Sequence, residues 1–260
     1  MVHGRWRGAV RQWEKVPGHP VCDVDLAADQ MLRERLLTLD PDAGWLSEET
    51  HDDRVRLDRE RVWVVDPIDG TKDFLGGRAG WAVSIALVEQ GRPLLGVLDA
   101  PARGEHWSAR AGTGARRNGA LLRVSRHAAL AGARVPADML SHADSDLVAI
   151  EKPNSIALRI GMVAAGEADL VATLRWGKEW DIAAAALIAE EAGATVTDAL
   201  GQQLRYNSVS ADAFGVLATT PAIHAAAVAR LAGRAGKAAG QSVRDRPSPP
   251  PGQPPRSRPD

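Results

Sequence analysis

The stretch Asp66-Pro67-Ile68-Asp69-Gly70-Thr71 follows directly on residues 62–65, an apolar run typical of a buried strand. Two carboxylates three positions apart on a tight turn can converge on one point. Pro67 stiffens such a turn, and Gly70 permits the backbone angles and the close approach that it needs. Carboxylates suit Mg²⁺, and the amides of Gly70 and Thr71 would bind an anion if a helix begins here. The stretch therefore predicts a metal-and-phosphate site; the alternative is an Asp-Pro turn with a helix cap.

Length and composition indicate a globular protein of one large or two small domains. The chain has 260 residues, of which 45% are hydrophobic and 25% charged. Its net charge of -1 argues against a nucleic-acid polymer or a membrane surface as partner. A single cysteine, Cys22, excludes an intrachain disulfide. With no secretory signal in residues 1–11 and no bilayer-spanning apolar run, we expect a cytoplasmic protein.

Signals for helices and strands alternate along the chain and predict a layered α/β or α+β architecture. The predicted helices are 26–39 with Asp25 as N-cap, 155–165, 181–192 with Asp181 as N-cap, and 221–231. The predicted strands are 62–65, 81–88, 94–98, 195–197 and 214–218.

From Arg234 onward the sequence consists mainly of Gly, Ala, Ser, Arg and Pro. With few large apolar residues, such a segment cannot bury enough surface to offset the entropy of ordering it. We therefore expect one domain over residues 1–233 and a disordered tail over 234–260. The alternative is a proline-rich ligand for a partner.

Three further acidic segments lie next to turns or helix starts: Asp23 to Asp25, Glu48-Glu49, and Glu179-Trp180-Asp181. Each has an ordinary interpretation, as a helix cap or a solvated loop. No Gly-x-Ser-x-Gly elbow, Walker loop or Rossmann glycine fingerprint is present in the sequence, so no nucleophilic or dinucleotide motif competes with a metal site.

In this order, the segments resemble the inositol monophosphatase-like superfamily. The stretch 66–71 looks like the family's first signature, and residues 180–194 look like its second. The upstream glutamate pair and the Asn118-Gly119 turn fit the same pattern. The resemblance implies an α+β fold of layers α-β-α-β-α, as in sugar phosphatases, with a shortened N-terminal helix. It also implies a magnesium-dependent phosphomonoesterase.

The resemblance further implies a role for each matched position. The expected metal ligands are Glu48, Asp66, the backbone carbonyl of Ile68, Asp69 and Asp181. Asp25 and Thr71 would orient the attacking water. The expected substrate-binding residues are Gly70, Thr71, Lys72, Ser155 and Glu179.

Residues 46–49, 69–74 and 179–181 look most like the 3'(2'),5'-bisphosphate nucleotidase branch, which implies adenosine 3',5'-bisphosphate as the small phosphorylated substrate. Inositol monophosphatase is the nearest alternative, and a non-catalytic metal- or phosphate-binding relative is the alternative from another class. Candidates to hold a second phosphate or a base are Lys72, Lys152, Arg159, Arg175, Lys178 and Trp176. Cys22 stands where the family usually has Thr, and Asn154-Ser155 where Gly-Ser is typical. Because dimers are common in the family, a homodimer is one assembly open to the chain.

Overall fold

The computed structural model describes residues 1–16 and 18–244. The helices of this part are α1 Val2–Arg5, α2 Asp23–Leu39, α3 Thr71–Leu75, α4 Ile156–Ala164, α5 Ala183–Glu191 and α6 His224–Arg244. The strands are β1 Gln12–Val16, β2 His19–Cys22, β3 Gly44–Ser47, β4 Arg61–Asp69, β5 Ala82–Glu89, β6 Arg92–Ala100, β7 Glu105–Arg110, β8 Ala115–Arg117, β9 Ala120–Leu121, β10 Arg134–Pro136, β11 Val148–Ile150, β12 Leu170–Lys178, β13 Thr195–Thr197 and β14 Asp212–Thr219. Short 3₁₀ turns occupy Val55–Asp58, His142–Asp144, Glu179–Asp181 and Pro221–Ile223.

Two sheets organise the chain. The larger has seven strands in the order β3-β4-β5-β6-β7-β8-β9, with β3 and β4 parallel and every other neighbouring pair antiparallel. The smaller is antiparallel, in the order β12-β14-β13. Two small ribbons, β1-β2 and β10-β11, complete the described strands. Because the strands from β5 to β9 are joined in sequence by short turns, this part of the large sheet forms an antiparallel meander.

Buried apolar side chains show how the layers stack. Helices α4 and α5 pack between the two sheets, because their apolar residues share one core with Val62 and Val64 of β4 and with Val216 of β14. Helix α2 covers the opposite face of the large sheet, where Trp63 and Val65 point. Helix α6 covers the outer face of the small sheet. The order is therefore α-β-α-β-α, and the predicted layered α+β fold is confirmed.

Strand β4 continues further than its sequence pattern predicts. The predicted strand ends at Val65 and gives way to a turn, whereas β4 runs to Asp69. Its pairing with β5 shifts between Asp66 and Asp69, so that Pro67 and Ile68 stand opposite the single residue Val83. Such a bulge accommodates a proline within a strand. The bulge lies between Asp66 and Asp69, two of the predicted metal ligands.

Two predicted helix caps are wrong in detail. The N-cap of α2 is Cys22, and Asp25 lies three residues inside, where its carboxylate accepts the Cys22 N–H at 2.8 Å. The two residues form a reciprocal capping box. Likewise α5 begins at Ala183 after Ile182, and Asp181 belongs to the preceding 3₁₀ turn. Both aspartates are thereby directed toward the site described below instead of serving as N-caps.

The closing helix also extends beyond its predicted end, since α6 continues through residues 234–244, which we expected to be disordered. Small side chains make this possible: Ala235 is fully buried against Phe214, and Arg234 forms a two-armed ion pair with Asp144. The remainder of the predicted tail, residues 245–260, lies outside the described residues. At the other end, α1 is a single turn of four residues. No helix of the described chain is long and apolar enough to cross a membrane.

Candidate active site

Glu48 and Asp66 each follow directly on the parallel pairing of β3 with β4. Strands β3 and β4 are in register from Gly44 opposite Val62 to Ser47 opposite Val65, and the Glu48 N–H continues the ladder to the Val65 carbonyl at 3.3 Å. Ser47 and Val65 form the last parallel pair, and Glu48 and Asp66 are the next residues along the two segments. Both residues therefore lie at the same end of this pairing. Asp66 is buried and its Oδ1 accepts the Ile68 N–H at 3.0 Å.

The bulge in β4 adds Asp69 to this group. In a regular strand, residues three apart point to opposite faces. Here the extra residue between Asp66 and Asp69 changes the alternation, and the two carboxylates act on each other electrostatically. A sheet bulge thus achieves the convergence that the sequence pattern attributes to a turn.

Asp25 and Asp181 reach the same place from helix starts. Asp25 projects from the first turn of α2 and is buried. Asp181 belongs to the 3₁₀ turn before α5. A hydrogen bond from the Ser84 hydroxyl to the Trp180 carbonyl, at 3.3 Å, holds this turn against the large sheet. Four separate segments therefore supply five carboxylates: Asp25, Glu48, Asp66, Asp69 and Asp181.

Four of these five carboxylates have pKa values above their ordinary range, because they are buried and most lie close to other carboxylates. Burial, followed by the charges of the four other carboxylates, raises the pKa of Asp66 well above its ordinary value. Burial raises the pKa of Asp69 to about 6, against the lowering effect of its hydrogen bonds. Burial, with the charges of Asp69 and Glu48, raises the pKa of Asp181 to about 8. Burial also raises the pKa of Asp25. Like charges gathered this closely need a cation to offset them.

Among the described residues, no three acidic, histidine or cysteine side chains stand close enough together to enclose a metal ion as placed. The donor set itself fits a hard divalent cation, because every predicted ligand presents oxygen and the carboxylates repel one another without a counter-charge. Glu48, Asp66, Asp69, Asp181 and the Ile68 carbonyl are the groups that would hold such ions.

Ser155, predicted to bind substrate, has its hydroxyl engaged within the protein. Its Oγ donates to Asp69 Oδ2 at 2.5 Å and accepts the Leu158 N–H at 2.9 Å, which makes it the N-cap of α4. The Ala157 N–H also donates to Asp69 Oδ2, at 2.8 Å. Ser155 therefore orients Asp69. Direct contact between its hydroxyl and substrate would require these hydrogen bonds to change.

Gly70 occupies a position that only glycine fits. Its φ is +94°, and a Cβ there would stand 2.7 Å from the Gly80 carbonyl oxygen and 2.9 Å from the Ser155 N. The close approach fixes the start of α3 against the segment that carries Ser155, since the Ser155 N–H also donates to the Gly80 carbonyl at 2.8 Å. This glycine keeps the first signature and the start of α4 in contact.

Thr71 and Lys72 begin α3. The Thr71 hydroxyl donates to the Ile68 carbonyl at 3.0 Å, so this hydroxyl and one predicted metal ligand are adjacent. To pair with Asp25 and orient a water, as predicted, the hydroxyl would have to rotate away from that carbonyl. The Lys72 side chain is exposed and does not line the cavity described next.

An open cavity of about 640 Å³ adjoins the carboxylates. Glu48 and Asp181 form one side of it, and the strand β12 with the turn after it forms another, through Arg175, Trp176, Lys178 and Trp180. Among the predicted candidates for a second phosphate or a base, Arg175, Lys178 and Trp176 therefore line the cavity.

The other basic candidates are engaged elsewhere. Lys152 forms an ion pair with Asp138 and lines a separate, polar cavity. Arg159 donates to the carbonyls of Pro153 and Asn154 at 2.8 and 2.5 Å. These two residues shape the loop before α4.

Glu179, predicted to bind substrate, has its carboxylate engaged within the protein. Its side chain is fully buried, and its two carboxylate oxygens accept the N–H groups of Asn207 and Ser208 at 2.6 and 3.0 Å. The same loop is held from its other side by Arg56, which donates to Asn207 Oδ1 at 2.5 Å and to the Ser208 carbonyl at 2.9 Å. Glu179 thus anchors the turn that carries Asp181.

Two residues of the site carry no clear signal in the sequence. Arg56 is one of several arginines in a charged loop, and its almost complete burial depends on Asn207 and Ser208, which are 151 and 152 positions away. Lys15 lies on the β1-β2 hairpin and donates to Glu48 Oε1 at 3.4 Å and to Glu49 Oε1 at 2.5 Å. Both contacts join segments distant in sequence, which local patterns do not reveal.

Comparison with known proteins identifies the family. The model of the inositol monophosphatase family matches residues 5–237. The chain belongs to the inositol monophosphatase family. Proteins of this family are phosphatases, so this member is a phosphoric monoester hydrolase, and the family is generally metal-dependent.

Two curated members of the family are equally similar to this one. A fructose-1,6-bisphosphatase/inositol-1-monophosphatase of Thermotoga maritima is 35% identical over 78% of this chain and 80% of its own length. The 3'(2'),5'-bisphosphate nucleotidase CysQ of Escherichia coli K12 is 35% identical over 74% of this chain and 81% of its own length. Among solved structures, a Thermotoga maritima inositol monophosphatase superposes with a TM-score of 0.77 at 29% identity, covering 91% of this chain and 93% of its own.

Proposed function

We propose that this family member removes the 3'-phosphate of adenosine 3',5'-bisphosphate in a magnesium-dependent reaction. The observation that carries the proposal is the cavity beside Glu48 and Asp181, whose other wall combines Trp176 and Trp180 with positively charged side chains. Aromatic faces suit a nucleobase, and fixed positive charge suits a phosphate that does not react.

Magnesium is the ion we propose because the predicted ligands are all oxygens and most are carboxylates, which hard cations prefer. When bound, such ions lower the pKa of a coordinated water and offset the charge of the phosphoryl group.

The chain's own residues would position the reactants. The buried carboxylate of Asp25 is fixed by the Cys22 N–H, and Thr71 supplies a hydroxyl beside the Ile68 carbonyl, so the two could orient a water for in-line attack on phosphorus. The attack forms a P–O bond to that water and breaks the bond to the ribose 3'-oxygen, which leaves with a proton taken from water. The hydrogen bonds from Ser155 and Ala157 hold Asp69 in place meanwhile.

Steady-state kcat/KM measured with Mg²⁺ on adenosine 3',5'-bisphosphate, myo-inositol 1-phosphate and fructose 1,6-bisphosphate tests the choice of substrate. We expect the nucleotide to be preferred by about tenfold or more, equivalent to about 1.4 kcal/mol of transition-state binding. The equal similarity to the Thermotoga maritima relative supports a second candidate, a sugar or inositol phosphatase. Preference for either of those compounds would replace the first proposal with the second.

A further inference from the structure

Three side chains with permanent positive charge line the cavity: Lys15, Arg175 and Lys178. Lys15 is bound to Glu48 and Glu49, and Lys178 donates to Asp212 Oδ1 at 2.7 Å. Arg175, which is exposed, forms no ion pair or hydrogen bond with any residue of the described chain. Its five N–H donors are therefore available to a ligand in the cavity.

A bulge in β12 gives Arg175 its unusual placement. The pairing of β12 with β14 passes from Thr173 opposite Val216 to Trp176 opposite Phe214, so Leu174 and Arg175 face the single residue Gly215. Gly215 has φ +67°, and a Cβ on it would stand 2.1 Å from the Thr173 carbonyl oxygen. Bulges bend a strand and redirect its side chains, and this one is maintained by a glycine that no other residue could replace without a clash.

The position of Arg175 relative to the carboxylates is also defined. Arg175 lines the same cavity as Glu48 and Asp181, two of the predicted metal ligands. One small molecule in that cavity can therefore contact both Arg175 and the carboxylates.

We propose that Arg175 is a specificity-determining residue that binds a second phosphate of the substrate, one that does not react. The inference rests on the proposed function only in placing the reacting phosphate at the carboxylate cluster. A guanidinium presents its donors in a planar fork that matches two phosphate oxygens, which a lysine cannot reproduce. Any substrate with two phosphates, one at the cluster and one at Arg175, fits the inference.

Two pairs of substrates test it: adenosine 3',5'-bisphosphate against adenosine 3'-monophosphate, and myo-inositol 1,4-bisphosphate against myo-inositol 1-phosphate. The variants are Arg175→Ala and Arg175→Lys, with Lys237→Ala as a control that removes an exposed charge on α6. In at least one pair, we expect Arg175→Ala to lower kcat/KM for the bisphosphate about 10- to 100-fold more than for the monophosphate. Arg175→Lys should lose part of this factor, and the control none.

The result that overturns the inference is an equal loss for both members of each pair. A wild-type enzyme that does not favour the bisphosphate in either pair would overturn it as well. Failure of the proposed function looks different: the inositol pair would then be the better substrates, and the selective loss in Arg175→Ala would appear within that pair.

Discussion

The Ser155 hydroxyl donates a hydrogen bond to Asp69 Oδ2 at 2.5 Å, across 86 positions of sequence. The Ser155 Oγ also caps α4 by accepting the Leu158 N–H. One side chain thus fixes both the start of a helix and the orientation of a predicted metal ligand. Residues that orient ligands in this way are worth about 10- to 100-fold in metal affinity or activity.

Ser155→Ala should therefore weaken the site without removing a ligand. We expect the Mg²⁺ concentration for half-maximal activity to rise about tenfold or more, and the free energy of unfolding to fall by about 1 kcal/mol through loss of the cap. Magnesium titrations of activity and urea unfolding measure the two effects. Ser141→Ala, an exposed serine bonded to Asp144, is the matched control. An unchanged magnesium requirement in Ser155→Ala would show that Asp69 does not depend on this hydrogen bond.

Gly70→Ala should disable the site by moving its backbone. The new Cβ would collide with the Gly80 carbonyl and the Ser155 N, in addition to the strain of a positive φ. We expect a loss of about 2 kcal/mol or more in unfolding free energy, together with a large loss of kcat. Gly104→Ala separates the two causes, since Gly104 has φ +66° but open space where its Cβ would stand. Equal losses in both variants would mean that strain alone accounts for the effect.

The layered fold and the four acidic segments could be predicted from the sequence because both depend on local signals. Apolar runs identify β4 and β5, and the spacing from Asp66 to Thr71 marks one segment as unusual. The bulge that aligns Asp66 with Asp69 could not be predicted, because it is defined by pairing with β5. The pattern of the sequence alone favours a turn there.

Removing the guanidinium of Arg56 should destabilise the protein. Arg56 is almost fully buried and donates to Asp52, Asn207 and the Ser208 carbonyl. Arg56→Met keeps much of the volume but leaves those acceptors without their donor, so we expect a loss of about 3 kcal/mol in unfolding free energy. Urea denaturation measures it, with the exposed Arg59→Met as control. A change below about 0.5 kcal/mol in Arg56→Met would contradict this account of the loop.

We expect the carboxylate of Asp169 to contribute to the free energy of unfolding in a pH-dependent way. Burial alone would raise its pKa, but hydrogen bonds from Arg134 and Ser125 outweigh that effect and lower the pKa to about 2. A lowered pKa in the folded state stabilises the fold above the unfolded value near 4, and this stabilisation disappears as the pH falls from about 4 to about 2.

Asp169→Asn should therefore reduce the free energy of unfolding by about 2 kcal/mol at pH 7, through the charged hydrogen bonds that are lost. The difference from wild type should shrink as the pH approaches 2. Urea unfolding at pH 7, 4 and 3 follows it, and Asp146→Asn, in an exposed pair with Arg230, should change little. A difference that stays constant from pH 7 to pH 3 would exclude this role for the Asp169 charge.

The roles of Glu179 and Ser155 show where inference from sequence stops. Both stand in segments that resemble the family's motifs, yet their side chains are turned to Asn207 and Ser208 and to Asp69. Motif position alone does not distinguish a residue that touches substrate from one that holds a neighbour. The end of α6 could not be predicted from local sequence either, because the burial of Ala235 depends on Phe214, which is distant in sequence.

We propose that the carboxylates around Asp66 form the metal-dependent phosphatase site. Phosphate release from adenosine 3',5'-bisphosphate, measured with Mg²⁺ and with EDTA for the wild type and for Asp66→Asn, tests this proposal. We expect turnover that requires Mg²⁺ and falls at least about 100-fold in Asp66→Asn, with circular dichroism showing that the variant is folded. Turnover that persists in EDTA, or a folded Asp66→Asn as active as the wild type, would contradict it.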